Sequence, residues 1–148
     1  MKKHITYKKL AASDLPFLKN LNEVFAEAFE DPETHLSKKP SDKYLTQLLA
    51  KDHFIAIAAL NSERVVGGLV AYVLEKYEQE RSEIYIYDLA VDLAYRRQGI
   101  ARHLINDLKA LAQTIGSSVL FVQADREDHP AIKLYQSMGT QEEPLHLS

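Results

Sequence analysis

Val91-Asp92-Leu93-Ala94-Tyr95-Arg96-Arg97-Gln98-Gly99-Ile100-Ala101 brings together residue types that suit one task, the holding of an anion. The stretch leaves an apolar run and enters an amphipathic one. A helix start offers unpaired N–H groups and the positive end of a macrodipole, so phosphates bind there readily. Gly99 removes a side chain and lets a pyrophosphate approach the backbone, while Arg96 and Arg97 add positive charge. The stretch lacks G-x-x-x-x-G-K-[ST], the Walker A pattern, and G-x-G-x-x-G, the dinucleotide pattern. Residue types alone leave two readings here: an anion site at a helix start, or a plain capping loop with a solvated Arg pair.

Further chemistry lies just upstream. Asp88 is an acid inside an aromatic strand, Glu83-Ile84-Tyr85-Ile86-Tyr87-Asp88-Leu89-Ala90-Val91, a position that is costly unless the carboxylate is paired or solvated. Tyr85 and Tyr87 share a strand face by two-residue alternation. They suit either site chemistry or cross-strand aromatic packing. Between Glu23 and Thr34 stand Glu23, Glu27, Glu30, Asp31 and Glu33 with no Lys or Arg. Between Arg96 and Lys109 the balance reverses, with Arg96, Arg97, Arg102 and Lys109 against Asp107. One segment suits a cation and the other an anion, and two solvated helix faces is the plainer alternative. The six histidines form no H-x-x-x-H pair and there is no cysteine, so no metal site is expected. Disulfides and thiolate catalysis are excluded, and no Ser–His–Asp arrangement can be assigned.

These residues need one domain to position them. The 148 residues suit a single core spanning the chain, 1–148, and 46% apolar against 26% charged residues is an ordinary globular balance. A net charge of −3 argues against a nucleic-acid partner. No run is long enough to span a bilayer and the first residues lack a signal-peptide pattern, so a cytoplasmic location is expected. Ser13-Asp14 opens a helix with Pro16 in its first turn, Leu18, Leu21, Phe25 and Phe29 facing the core, and Asp31-Pro32 as its break. Pro40-Ser41-Asp42 starts a second helix through Leu49. His53–Leu60 and Val65–Leu74 read as a hairpin about the turn Asn61–Arg64. Glu83–Val91 is a third strand, Arg96–Ile115 a helix stopped by Gly116, Val119–Val122 a short buried strand, Pro130–Met138 a last helix and Glu142–Leu147 a final strand. The strands from Glu83 and Val119 should be parallel through a right-handed helical crossover, in a mixed sheet of α/β or α+β type. Ligands bind beyond the carboxyl ends of such strands.

Three pieces together carry a resemblance. Arg96-Arg97-Gln98-Gly99-Ile100-Ala101 resembles the Q/R-x-x-G-x-G/A motif of the GNAT superfamily of N-acetyltransferases, with Ala101 in the last position. Asp88-Leu89-Ala90-Val91 resembles the family strand that pairs with pantetheine. Asp128-His129-Pro130-Ala131-Ile132-Lys133-Leu134-Tyr135, followed by Met138-Gly139, resembles its second helix on the CoA side. Within the family the chain is most similar to aminoglycoside 3-N-acetyltransferases of the AAC(3)-I type, from about Tyr44 to Leu147.

The resemblance implies a GNAT fold, a mixed central sheet whose parallel pair splays around CoA between flanking helices. It implies acetyl transfer from acetyl-CoA, without metal, to the 3-amino group of an aminoglycoside. Another amine, such as a polyamine, metabolite or peptide, and a catalytically idle acyl-CoA sensor are the alternatives. Direct transfer in a ternary complex is expected, with a homodimer as the assembly. Asp88 is the first candidate for the base and Glu83 the second, through water. Tyr135 would lie near the CoA sulfur and hydrogen-bond or protonate the thiolate, unless it is a packed aromatic on an amphipathic helix. N–H groups around Leu89 would polarise the carbonyl, and Ala90 and the backbone of Val91 would pair with pantetheine. Arg96, Arg97, Gln98, Gly99, Ile100, Ala101 and Arg102 would hold the diphosphate. Glu27, Asp31, Asp125, Glu127 and Asp128, with Tyr85, Tyr87 and Asp88, would line a pocket for a polycationic amine. Asp128 is also placed to cap the helix at Pro130.

Overall fold

The computed structural model describes residues 4–29, 39–124 and 128–140. Among them, Ile5–Lys9 (β1), Phe54–Asn61 (β2), Arg64–Glu75 (β3), Ser82–Val91 (β4) and Ser117–Val122 (β5) form one sheet in the order β1-β2-β3-β4-β5. The first four are antiparallel to their neighbours, and β5 runs parallel to β4. Leu15–Ala28 (α1) and Asp42–Leu49 (α2) cover one face. Ile100–Ile115 (α3) is the crossover between β4 and β5, and His129–Met138 (α4) follows. The α/β class, the mixed sheet, the hairpin and the parallel crossover are as the patterning predicts.

Two cores sit on the two faces. Ile84 and Ile86 of β4 pack with Ile100, Leu104, Ile105, Leu108 and Ala112 of α3. On the other face, Leu18, Leu21 and Phe25 of α1 pack with Leu45 and Leu49 of α2 against Phe54, Ala56 and Ala58. Each buried Leu or Phe contributes about 1.5–3 kcal/mol. The close seat of α1 depends on a row of small residues: Ala58, Gly68 and Ala90 are in register across β2, β3 and β4. A Cβ on Gly68 would stand 2.6 Å from Leu21 Cδ1 and 2.6 Å from the Ile57 carbonyl oxygen. Asp14, buried before α1, accepts from Lys8 Nζ at 2.8 Å and from the Ala11 amide at 2.8 Å. The Lys8 hydrogen bond, followed by the Ala11 amide, holds its carboxyl below the usual carboxylate range.

Four expectations change. The helix after β4 begins at Ile100 and not at Arg96, because Arg97 and Gly99 have φ of 63° and 78°, outside helical space. Phe29 caps the end of α1 and is 42% exposed, so it lies off the core stripe. The strand at Val119 is buried on one face only: Leu120 and Val122 pack inward, while Val119 and Phe121 are 41% and 38% exposed. β1 is an added strand, too short for its Ile5/Tyr7 alternation to stand out among the lysines. The Asp31-Pro32 break and the strand at Glu142–Leu147 lie outside the described residues.

Gly68→Ala is expected to destabilise the protein by about 1–3 kcal/mol, the usual cost of overpacking a filled core. Urea unfolding should show a lower midpoint with an unchanged m-value; an unchanged midpoint would mean that α1 is free to move off the sheet.

Candidate active site

β4 changes partners and face within two residues. Its pairing with β5 runs to Ile86↔Val122, and no later residue of β4 has a register partner there among the described residues. On the other edge, Val70 pairs with Asp88 while Ala71 pairs with Ile86, so Tyr87 is an extra residue and β4 bulges. Strict alternation would put Asp88 on the face of Ile84 and Ile86, inside the α3 core. The bulge moves it to the α1/α2 face, next to Tyr87, where it is half-buried. The Tyr72 and Tyr85 hydroxyls record this placement. Burial pushes each up first, and Tyr87 and Asp88 are among the further causes. Beyond the bulge, Leu89, Ala90 and Val91 stay paired with Leu69, Gly68 and Gly67.

The turn after β4 is tied down before the chain enters α3. The Asp92 amide donates to the Val66 carbonyl at 2.8 Å. Its carboxylate accepts from the Ala94 amide at 3.0 Å and pairs with Arg64 at 3.3 Å. Tyr95 is buried, and its hydroxyl accepts from Asn61 Nδ2 at 2.8 Å. Arg96 Nε donates to the Val91 carbonyl at 3.1 Å, so this carbonyl, expected to face pantetheine, already holds one partner.

Arg97 and Gly99 then take left-handed conformations, and the first helical bond runs from the His103 amide to the Gly99 carbonyl at 3.0 Å. The amides of Ile100, Ala101 and Arg102 therefore precede the hydrogen-bonded helix. No side chain caps them from Gly99. A Cβ on Gly99 would meet nothing within 4 Å, so open space lies over the turn. Arg96, Arg97, Gln98 and Arg102 are exposed around it, while the Ile100 side chain is buried in the core and leaves only its backbone to a ligand. Three leading amides, open space and cations fit a diphosphate.

α4 reaches this turn from the side. Arg102 donates to Ser137 Oγ at 2.7 Å, and Ser137 Oγ donates to the Leu134 carbonyl at 2.6 Å. Asp128 caps α4, accepting from the Ala131 amide at 3.3 Å, which is the capping role predicted for it. Tyr135 packs against the α3 core. Burial, and then the charge of Asp128, push its phenol up to about 12. It holds its proton throughout the physiological range.

Other predicted residues are not brought together with Asp88. Glu83 is ion-paired with Lys76 at 3.6 Å and Arg81 at 3.7 Å. It stands five residues up the strand, about 16 Å away at 3.3 Å per residue. Glu27 is exposed on α1. Asp31, Asp125 and Glu127 lie outside the described residues. An open hollow of about 530 Å³, lined by Lys76, Arg81, Ser82 and Gly116 among others, sits at the opposite end of β4 and does not touch this chemistry. No group of three or more His, Asp or Glu able to hold a metal occurs among the described residues, and no helix there is long and apolar enough to cross a membrane.

The sequence reading missed Asn61, Arg64 and Tyr95. Their signal is tertiary, since Asn61 and Tyr95 meet only once the β2–β3 turn folds beside the β4 exit. Tyr85 and Tyr87 do share a face and are packed there, Tyr85 on Phe121 at 4.8 Å and Tyr87 edge-on to Tyr72 at 5.8 Å.

The model of the acetyltransferase (GNAT) family matches residues 18–140. An aminoglycoside acetyltransferase from an uncultured soil metagenomic sample is 49% identical, with a TM-score of 0.95 over 98% of this chain and 97% of that one. A second such enzyme from an uncultured soil metagenomic sample, solved in complex with sisomicin, is 35% identical, with a TM-score of 0.89 over 97% and 94% of the two chains. The ribosomal protein bS18 alanine N-acetyltransferase of Escherichia coli is 26% identical over 93% of this chain and 81% of its own length. The chain spans only about half the length of other curated relatives, 51% for human N-acetyltransferase 8.

Because the folded state keeps a proton on Tyr135 that the unfolded chain releases above about pH 10, stability is full below pH 10 and falls as pH rises toward about 12. Tyr7, Tyr72 and Tyr85 act in the same direction, so the test is a comparison: urea midpoints between pH 9 and pH 12 should decline less steeply for Tyr135→Phe than for wild type. Parallel declines would show Tyr135 to be solvated.

Proposed function

The chain belongs to the acetyltransferase (GNAT) family, and on that premise we propose that it moves the acetyl group of acetyl-CoA to an amine of an aminoglycoside, at the 3-amino position as in enzymes of the AAC(3)-I type, giving resistance. The observation that carries the reading is the bulge at Tyr87, which aims Asp88 away from the α3 core just beyond Ile86↔Val122, the last β4–β5 partner pair among the described residues. The acceptor class is supported by the two soil enzymes, one of them solved with sisomicin.

Acetyl-CoA, when bound, supplies the acetyl group as an activated thioester. The amides of Ile100, Ala101 and Arg102 grip its diphosphate, with Arg97 and Gln98 beside them and Gly99 leaving the approach open. The backbone of Leu89, Ala90 and Val91 offers an edge to pantetheine, and the N–H groups around Leu89 polarise the carbonyl. Asp88 accepts one proton from the acceptor's ammonium, freeing the lone pair that forms the new C–N bond as the C–S bond breaks, and the second proton that the nitrogen loses on becoming an amide passes to the departing thiolate, giving the free CoA thiol. Tyr135 donates a hydrogen bond to the departing sulfur. With its pKa near 12, complete transfer of its proton to a thiolate of pKa about 8.5 is uphill by roughly 5 kcal/mol, so the phenol stabilises the charge without losing its proton. Holding both substrates in line supplies up to about 7–11 kcal/mol of the barrier reduction. The acidic residues Glu27, Asp31, Asp125, Glu127 and Asp128 add negative charge that attracts a polycation at long range. Glu83, between Lys76 and Arg81, is the weaker candidate for the base.

A peptide amine is the second reading, supported by the likeness to the bS18 alanine enzyme. Thiol release with acetyl-CoA and a panel of sisomicin, gentamicin, polyamines and an alanine-terminated peptide separates the two. Turnover with the aminoglycosides, with a mass gain of one acetyl and an NMR assignment to the 3-amino group, is expected. Turnover with the peptide alone would transfer the reading to peptides, and CoA binding without any turnover would make the chain a sensor. Asp88→Asn should lower kcat by about 10²–10⁴-fold with acetyl-CoA binding retained, and a normal rate would remove Asp88 as base.

A further inference from the structure

Phe54, Tyr72, Tyr85 and Phe121 are Cα partners across β2, β3, β4 and β5, so four aromatic residues stand in one row on the α1/α2 face. The rings meet in two pairs that Tyr87 bridges. Phe54 and Tyr72 are 5.5 Å apart, and Tyr85 and Phe121 are stacked at 4.8 Å. Tyr87, displaced by the bulge, closes the middle, edge-on to Tyr72 at 5.8 Å and to Tyr85 at 5.9 Å. Packing alone explains the buried end at Phe54. It does not explain the other end, where Tyr87 is 60% and Phe121 38% exposed. Tyr44 of α2, also 60% exposed, is near enough to help raise the Tyr72 hydroxyl.

Asp88 follows Tyr87 on the same face, so this open aromatic surface ends in a carboxylate. Ring faces carry negative quadrupoles and attract cations. A carboxylate attracts the same sign of charge. An ammonium borne on a saturated ring satisfies both parts, because its ring covers apolar surface while its charge faces the aromatic rings and the acid.

We infer that the row of Tyr72, Tyr85, Tyr87 and Phe121 is a specificity-determining platform for an amino-sugar acceptor. A non-reacting ammonium of the acceptor lies against the rings and thereby orients the reacting amine at Asp88. The inference deepens the proposed function and rests on its reading of the acceptor as a polycationic amine.

The test is steady-state kinetics with sisomicin and acetyl-CoA on wild type, Tyr87→Leu, Phe121→Leu and Tyr87→Phe. Both leucine variants keep apolar bulk at exposed positions and remove the π face. They should raise the KM for sisomicin about 2- to 30-fold, the range of a cation–π contact, and leave the KM for acetyl-CoA unchanged. Tyr87→Phe, which keeps the π face, should recover most of what Tyr87→Leu loses in sisomicin KM. An unchanged sisomicin KM in both leucine variants would overturn the platform alone, as would equal increases in both substrates' KM, which report a disturbed fold. If Tyr87→Phe loses as much as Tyr87→Leu, a hydroxyl contact replaces the platform. Wild type that acetylates no amine would overturn the functional reading and the platform with it.

Discussion

The start of α3 is set by backbone conformation. Arg97 and Gly99 are left-handed, and a helix cannot run through either. The helix therefore begins at Ile100, with Gly99 as a cap that has no side chain to offer. The leading amides take no side-chain cap from Gly99, and the space above Gly99 is open. Arg97 takes a strained conformation that costs a non-glycine residue about 1–2 kcal/mol. The rest of the turn must hold that strain, which Asp92 and Tyr95 do by their bonds to Val66, Arg64 and Asn61.

The second half of the site follows from one added residue in β4. Without the bulge, Asp88 would point its carboxylate into the apolar α3 core. With it, the same carboxylate faces the α1/α2 side among Tyr72, Tyr85 and Tyr87, while Leu89 resumes packing toward α3. The change of face falls just after β4 and β5 stop pairing. A single short segment thus supplies an acid on one face, a stretch with no β5 partner among the described residues, and a turn that ends in helix amides. α4 is joined to that turn through Arg102 and Ser137, so Tyr135 and the leading amides of α3 are mechanically linked.

Most of this frame was legible in the residues. The periodicity of Leu104, Leu108 and Leu111 marks α3, and the apolar runs mark β2 to β5. Gly116 marks the helix end, where it is left-handed as a C-cap requires. The turn before α3 was legible as a motif, but its conformation was not, and Arg96–Gly99 read as helix because Arg and Gln are good helix formers. The bulge needs the partner strand to be seen, since nothing in Tyr87-Asp88 itself announces a slip of register. The Asn61–Tyr95 and Arg64–Asp92 contacts join residues 28–34 positions apart in the chain. They follow from the β2–β3 turn folding beside the β4 exit, which periodicity does not reveal. Asp128 was legible in both roles, and its capping bond is the one that the geometry bears out.

The central claim is that the left-handed turn at Gly99 presents free amides to the diphosphate of acetyl-CoA. Calorimetric titration of acetyl-CoA into the wild-type protein and into Gly99→Val, with thermal unfolding of each as control, tests it most directly. A valine would fill the open space and resist the positive φ. The account predicts saturable binding heat for the wild type and none for Gly99→Val, with a cooperative unfolding transition retained in both. Equal affinity in the two proteins would contradict it.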